Sequence, residues 1–129
     1  MVLGENMQRE DLLKILEDLL LLDDIKAVMV AKQGLDGIVP ENNKLKDIDL
    51  WRTIRDATDD IFPLIDKFYS YQLDRFYFEL GEYTIVIVPI SRTFALLVVF
   101  ESLANSGLLD VEIENSRRKI LELANLGKG

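Results

Sequence analysis

The chain has 129 residues, 49% hydrophobic and 29% charged, with a net charge of −8 from 23 acidic and 15 basic side chains. That is the balance of a single globular domain able to bury one core, and its sign disfavours nucleic acid and an anionic membrane surface. Cysteine and histidine are both absent, which excludes disulfide frameworks, thiol nucleophiles, zinc fingers, Ser-His-Asp triads and His-based metal sites.

Met1–Asn6 lacks the basic start and apolar core of a signal peptide and reads as a tail. Met7–Leu22 is predicted as the first helix, because Leu12, Leu13, Leu16, Leu19 and Leu20 recur at three- and four-residue intervals. Ile25–Ala31 is predicted as a strand on its β-branched positions Ile25, Val28 and Val30. Gly34-Leu35-Asp36-Gly37 is expected to reverse the chain, and Ile38-Val39 to form a short return strand stopped by Pro40. The two glycines lack the lysine and the spacing of a phosphate-binding loop.

Glu41–Asp49 is polar and reads as a loop, with Asp47 or Asp49 available to cap the next helix. That helix is predicted over Leu50–Gln72, with an apolar stripe of Trp51, Ile54, Thr58, Ile61, Ile65 and Phe68 and a kink or break expected near Asp60–Pro63. Arg75–Leu80 alternates, Phe76, Phe78 and Leu80 sharing one face and Arg75, Tyr77 and Glu79 the other. Gly81-Glu82 is the turn into Tyr83–Ile90, and Ser91-Arg92 the turn into Thr93–Phe100. These last two runs are apolar on both faces, so both faces need cover and the strands belong inside the sheet. The same stretch, interrupted by Pro89, Ser91, Arg92 and Thr93, falls short of the roughly 20 apolar residues of a membrane helix, so no membrane insertion and a cytoplasmic location are expected. Leu108–Leu126 is the last helix, with Leu109, Ile113, Ile120, Leu121 and Ala124 on one stripe, and residues 127–129 form a second tail. One α/β (α+β) domain over residues 1–129, in the order α-β-β-α-β-β-β-α, is the result.

In this order the chain resembles the roadblock family, also called the dynein light chain roadblock type. The hairpin Val28-Met29-Val30 to Asp36-Gly37-Ile38-Val39 is similar to the family's strand, Asp-Gly, strand opening, and Asn105-Ser106-Gly107-Leu108 to its Asn-x-Gly-Leu step into the last helix. The second strand, cut short at Pro40, departs from the family pattern. The resemblance implies a five-stranded antiparallel sheet in the order 2-1-5-4-3, with the first and last helices on one face and the middle helix on the other. It also implies pairing of two copies through their third strands and middle helices, and a role as scaffold or regulator rather than catalyst. The family includes lysosomal scaffold subunits that hold Ras-like GTPases and bacterial GTPase-activating proteins of gliding motility.

A homodimer is expected on the residues too, since Arg75–Leu80 would otherwise be an uncovered, aromatic-rich edge. The expected interface is Trp51, Ile54, Thr58, Ile61, Ile65, Phe68, Arg75, Phe76, Tyr77, Phe78 and Glu79. Arg52, Arg55, Asp56, Asp59 and Lys67 fall off the apolar stripe and are the expected contacts of a small Ras-like GTPase. No catalytic, metal or cofactor site is expected. Asp23/Asp24 and Asp59/Asp60 are sequential acids that point apart on a helix, and Ser102 has no activating histidine. The competing readings are a structural subunit of a motor-like or scaffold complex without effect on GTP turnover, and a small-ligand sensor with a closed pocket beside the sheet.

Overall fold

The computed structural model describes the backbone of residues 2–128 and the side chains of residues 8–124. Helix α1 spans Val2–Leu20, strand β1 Ile25–Lys32, β2 Leu35–Ile38, α2 Ile48–Phe68, β3 Phe76–Leu80, β4 Tyr83–Pro89, β5 Phe94–Glu101 and α3 Ser106–Lys128. The five strands form one antiparallel sheet in the order β2-β1-β5-β4-β3. Both outer helices are longer than expected: α1 takes in Val2–Asn6 and α3 continues through Gly127-Lys128.

Alternation along the strands sorts the core into two layers. Val28, Val30, Val86, Val88, Leu96 and Val98 pack with Leu16, Leu20, Leu109, Ile113 and Ile120 of α1 and α3. Ala27, Met29, Ala31, Ile85, Ile87, Ala95, Leu97 and Val99 pack with Ile54, Ile61, Phe62 and Ile65 of α2. Strands β4 and β5 are the two-faced apolar runs, buried from Thr84 to Pro89 and from Ala95 to Phe100. Such strands need helices above and below, and the layering supplies them.

Three local expectations change. The reversal between β1 and β2 is Gln33-Gly34, with Gly34 at φ +70°, while Leu35, Asp36 and Gly37 belong to β2. Gly37 is required for a different reason: a Cβ there would lie 2.6 Å from the Val30 carbonyl oxygen. The second strand lies earlier than expected, Leu35–Ile38 rather than Ile38-Val39 up to Pro40, and the loop beyond it replaces the missing ladder. The Val28 N–H donates to Asn43 Oδ1 at 3.1 Å, and the Lys44 and Leu45 N–H groups donate to the Lys26 carbonyl at 2.6 and 3.0 Å.

Pro63 neither breaks α2 nor starts a second segment; the helix runs unbroken from Ile48 to Phe68 and closes in a 3₁₀ turn at Tyr69–Tyr71. The carbonyl that loses its donor is that of Asp59, four residues earlier. Asp59 and Pro63 are both exposed, so the freed carbonyl is on the solvent side of the helix, where the loss costs least. At the other end Asp47 is the N-cap, its carboxylate accepting from the Leu50 N–H at 3.0 Å. Asp47→Ala is expected to cost about 1 kcal/mol in urea unfolding; an unchanged midpoint would remove the cap from the account of α2. Asn105 does the same for α3, its side chain accepting from the Leu108 N–H at 3.2 Å, which gives the Asn-x-Gly-Leu step its physical reason.

Candidate functional site

Helix α2 rests on the sheet along Ile54, Thr58, Ile61, Phe62 and Ile65, all buried. Thr58 satisfies its buried hydroxyl by donating to the Ile54 carbonyl at 2.8 Å. Of the residues expected at a dimer interface, Ile54, Thr58, Ile61 and Ile65 are therefore committed to the chain's own sheet, and Trp51 is half-buried against the same cluster. Apart from Phe68, which is 43% exposed, the stripe that sequence periodicity finds is the one facing the sheet. A second stripe, one step round the helix, stays open: Thr53, Ala57, Leu64 and Phe68 are exposed. Thr53, Ala57 and the edges of Ile54, Thr58 and Ile61 form one wall of an apolar groove, and Phe78, Leu80, Ile85 and Ile87 form the other. Leu64, Ala57, Thr53 and Leu80 were missing from the expected set because each, taken singly, looks like ordinary surface.

The groove runs along β3, which is one of the two edges of the sheet. Gly81 at φ +61° begins the two-residue turn that closes on the Leu80–Tyr83 pair, as hairpins with glycine first require. Counting back from that pair, Leu80, Phe78 and Phe76 exchange hydrogen bonds with β4. Tyr77 and Glu79 then turn their N–H and C=O groups outward, and among the described residues no backbone bond outside the ladders takes them up. The side chains of β3 divide as expected. Phe76 packs against the α2 layer, Phe78 and Leu80 are 40% and 45% exposed beside the groove, and Tyr77 is 53% exposed on the opposite face.

Arg75, also expected at the interface, is turned toward α3. Its guanidinium lies 2.7 Å from Asp74, 3.2 Å from Glu114 and 3.7 Å from Asp110, and the Tyr77 hydroxyl donates to Asp110 at 3.3 Å. These bonds fasten the start of β3 to α3. Burial of Arg75 opposes its charge, but Asp74, by hydrogen bond and by charge, and then Tyr77 outweigh it, so its pKa stands above the ordinary arginine value. At the hairpin's far end the Tyr83 phenol is held above its ordinary value, first by desolvation and then by Glu82.

On the other side of α2 lies a charged cleft, walled by Lys32, Asp36 and Gly37 of the β1–β2 hairpin and by Arg52, Arg55, Asp56 and Asp59 of the helix. Four of the five expected partner contacts thus share one cleft; Lys67, in the last turn of α2, stands apart from them. Arg52 makes only a loose ion pair, 3.7 Å to Asp49 with both side chains largely exposed, so these charges are available to another molecule. Among the described residues no group of three or more Asp and Glu converges as a metal site, and no helix is long and apolar enough to cross a membrane.

Comparison with solved structures places this arrangement. MglB of Myxococcus xanthus superposes with a TM-score of 0.71 at 11% identity, over 92% of this chain and 91% of that one. The gliding protein MglB of Thermus thermophilus gives 0.69 at 11% identity over 92% and 91%. A Roadblock/LC7 domain from Streptomyces avermitilis gives 0.62 at 13% identity over 82% and 91%. At such identities the likeness is one of fold, and the fold is the Roadblock/LC7 fold that the Asn105-Ser106-Gly107-Leu108 step and the element order led us to expect. No curated protein matches the sequence. The profile of the AF0774-like protein family does match, over residues 9–114, and the chain belongs to that family.

Proposed function

We propose that the chain is a non-catalytic, homodimeric regulator or scaffold that binds a small Ras-like GTPase and acts on its nucleotide cycle or its location. The observation that carries the reading is the open β3 edge lying beside an apolar groove on the same side as α2. An edge of this kind invites a second strand, and a two-fold pairing supplies one from an identical chain. Two chains joined there carry two α2 helices on one face of a continuous sheet. Each brings its cleft of Arg52, Arg55, Asp56 and Asp59. Charges at such a rim steer encounter and select partners more than they add affinity.

The shared fold with MglB and a Roadblock/LC7 domain supports the role. A chain without histidine or cysteine has little with which to activate a nucleophile, so the GTPase supplies its own catalytic groups and this protein holds its mobile segments in one arrangement. The grooves beside the sheet are open, which favours a protein partner over the closed pocket of a small-ligand sensor. Such a regulator acts only through different affinities for the nucleotide states. Titration of Ras-like GTPases from the same genome, loaded with GDP or with a non-hydrolysable GTP analogue, is expected to show affinities at least about tenfold apart, which is about 1.4 kcal/mol. Arg52→Glu with Arg55→Glu is expected to slow association. Equal binding in both states, or none, overturns the reading.

A further inference from the structure

We infer that two copies of this chain join β3 to β3 in the single register centred on Phe78, so that Phe78 meets its own copy on the two-fold axis and Tyr77 exchanges hydrogen bonds with Glu79 of the other chain. The inference rests on the dimer reading above and adds the pairing that reading leaves open. It follows from which groups of β3 are free. Only Tyr77 and Glu79 present unpaired N–H and C=O groups within Phe76–Leu80, and an antiparallel partner must be met by such residues in facing pairs. That condition leaves three two-fold registers, centred on Tyr77, on Phe78 or on Glu79. Odd slips bring an outward residue against an inward one and form no bonds.

The three differ in what they oppose. Centring on Glu79 sets two carboxylates directly across from each other, an arrangement that destabilises a sheet. Centring on Tyr77 carries Leu80 beyond the strand to face Asp74, an apolar side chain against an exposed acid. Centring on Phe78 pairs all five residues. Both free residues of each chain are satisfied, making four hydrogen bonds. Phe76 opposes Leu80 and Phe78 opposes itself, all on the face that carries the groove of Thr53, Ala57 and Ile61. On the other face Tyr77 opposes Glu79, and no like charges meet. The exposed apolar surface of Phe78 and Leu80 is covered from both sides of the axis.

The sequence contains no cysteine, so single-cysteine variants report the register against a silent background. In the proposed seam the two Phe78 Cα atoms form a non-hydrogen-bonded pair about 4.5 Å apart, within disulfide range. Tyr77 and Glu79 each lie on a diagonal about 7–8 Å from their own copies, which is too far for ready closure. Under mild oxidation Phe78→Cys is expected to form the linked dimer at least about tenfold faster than Tyr77→Cys or Glu79→Cys alone. A mixture of Tyr77→Cys chains with differently tagged Glu79→Cys chains, which keeps Phe78 in place, is expected to link as a heterodimer. Sedimentation before oxidation separates the two levels of failure. A dimer in which Tyr77→Cys or Glu79→Cys links fastest, or in which none of these pairs links, overturns the register alone. A monomer at high concentration overturns the register and the dimer reading together.

Discussion

Glu79→Pro is expected to yield a folded monomer. The Glu79 N–H points away from β4 and feeds no ladder bond, so the ring removes nothing the isolated chain uses, and proline is tolerated on an edge strand in that orientation. Phe78, the residue before it, is already in a strand, the conformation that a following proline imposes. The loss falls on the seam. Each chain loses one donor, and the Tyr77 carbonyl it would have met in the other chain is left buried without a partner. Two such losses cost about 2–6 kcal/mol in all, taking 1–3 kcal/mol for each orphaned acceptor, which is a weakening of association of at least about 30-fold. Sedimentation velocity reads the association, and urea unfolding at low protein concentration reads the fold. Phe78→Pro is the control: its N–H does bond to β4, so the same ring one residue earlier damages the hairpin itself. Association of Glu79→Pro at the wild-type constant would mean that the chains do not meet through β3, and the role built on paired α2 helices would fail with it.

Reading the fold from the residues succeeded where one physical signal dominated. Tyr83–Ile90 and Thr93–Phe100 are apolar on both faces, which has few solutions other than the inside of a covered sheet, and β5 and β4 sit there. Asp47, one of the two acids standing before the apolar periodicity of α2, is its cap, and Asn105 of the expected step into the last helix caps α3. The signal was ambiguous where one residue type serves two ends. Gly34 and Gly37 look alike in sequence. One supplies a positive φ and the other makes room beside the Val30 carbonyl and the Met29 side chain, a distinction that depends on the neighbouring strand. Pro63 reads as a breaker, but the cost of proline in a helix depends on whether water can reach the orphaned carbonyl, and that is a matter of which side faces solvent. The candidate site was half legible for a related reason. Periodicity finds the face a helix turns to its own sheet, and so it gathered Ile54, Thr58, Ile61 and Ile65. The stripe left for another molecule is marked in the sequence only by Phe68; its other members, Thr53, Ala57 and Leu64, show only once α2 is seated. The four charges Arg52, Arg55, Asp56 and Asp59 were found by exclusion from the apolar stripe, and the β1–β2 hairpin gave them a second wall that no helical pattern contains.

Phe62→Ala is expected to have the largest effect on stability of any single substitution in α2. The residue stands just outside the stripe read from the sequence, yet it is 0% exposed and is the largest of the fully buried side chains. It packs in the layer formed by Ile54, Ile61, Ile65, Leu97 and Val99. Truncation removes the transfer energy of a benzyl group and leaves a cavity that a helix lying across a rigid sheet cannot close, a loss of about 3–5 kcal/mol. Domains of this size have a total of about 5–15 kcal/mol, so the variant stands near the unfolding threshold, and urea midpoints at several protein concentrations measure it. Association favours the folded chain by mass action, so for a dimer the apparent loss shrinks as concentration rises. Leu64→Ala, on the open stripe and 42% exposed, is the counterpart: truncating an exposed side chain costs the fold under about 0.5 kcal/mol, with its effect falling on association instead. A cost below about 1 kcal/mol for Phe62→Ala would mean that α2 is not seated on the sheet through this residue. Since both the apolar groove and the charged cleft are made by where α2 sits, neither surface would then exist in the form described.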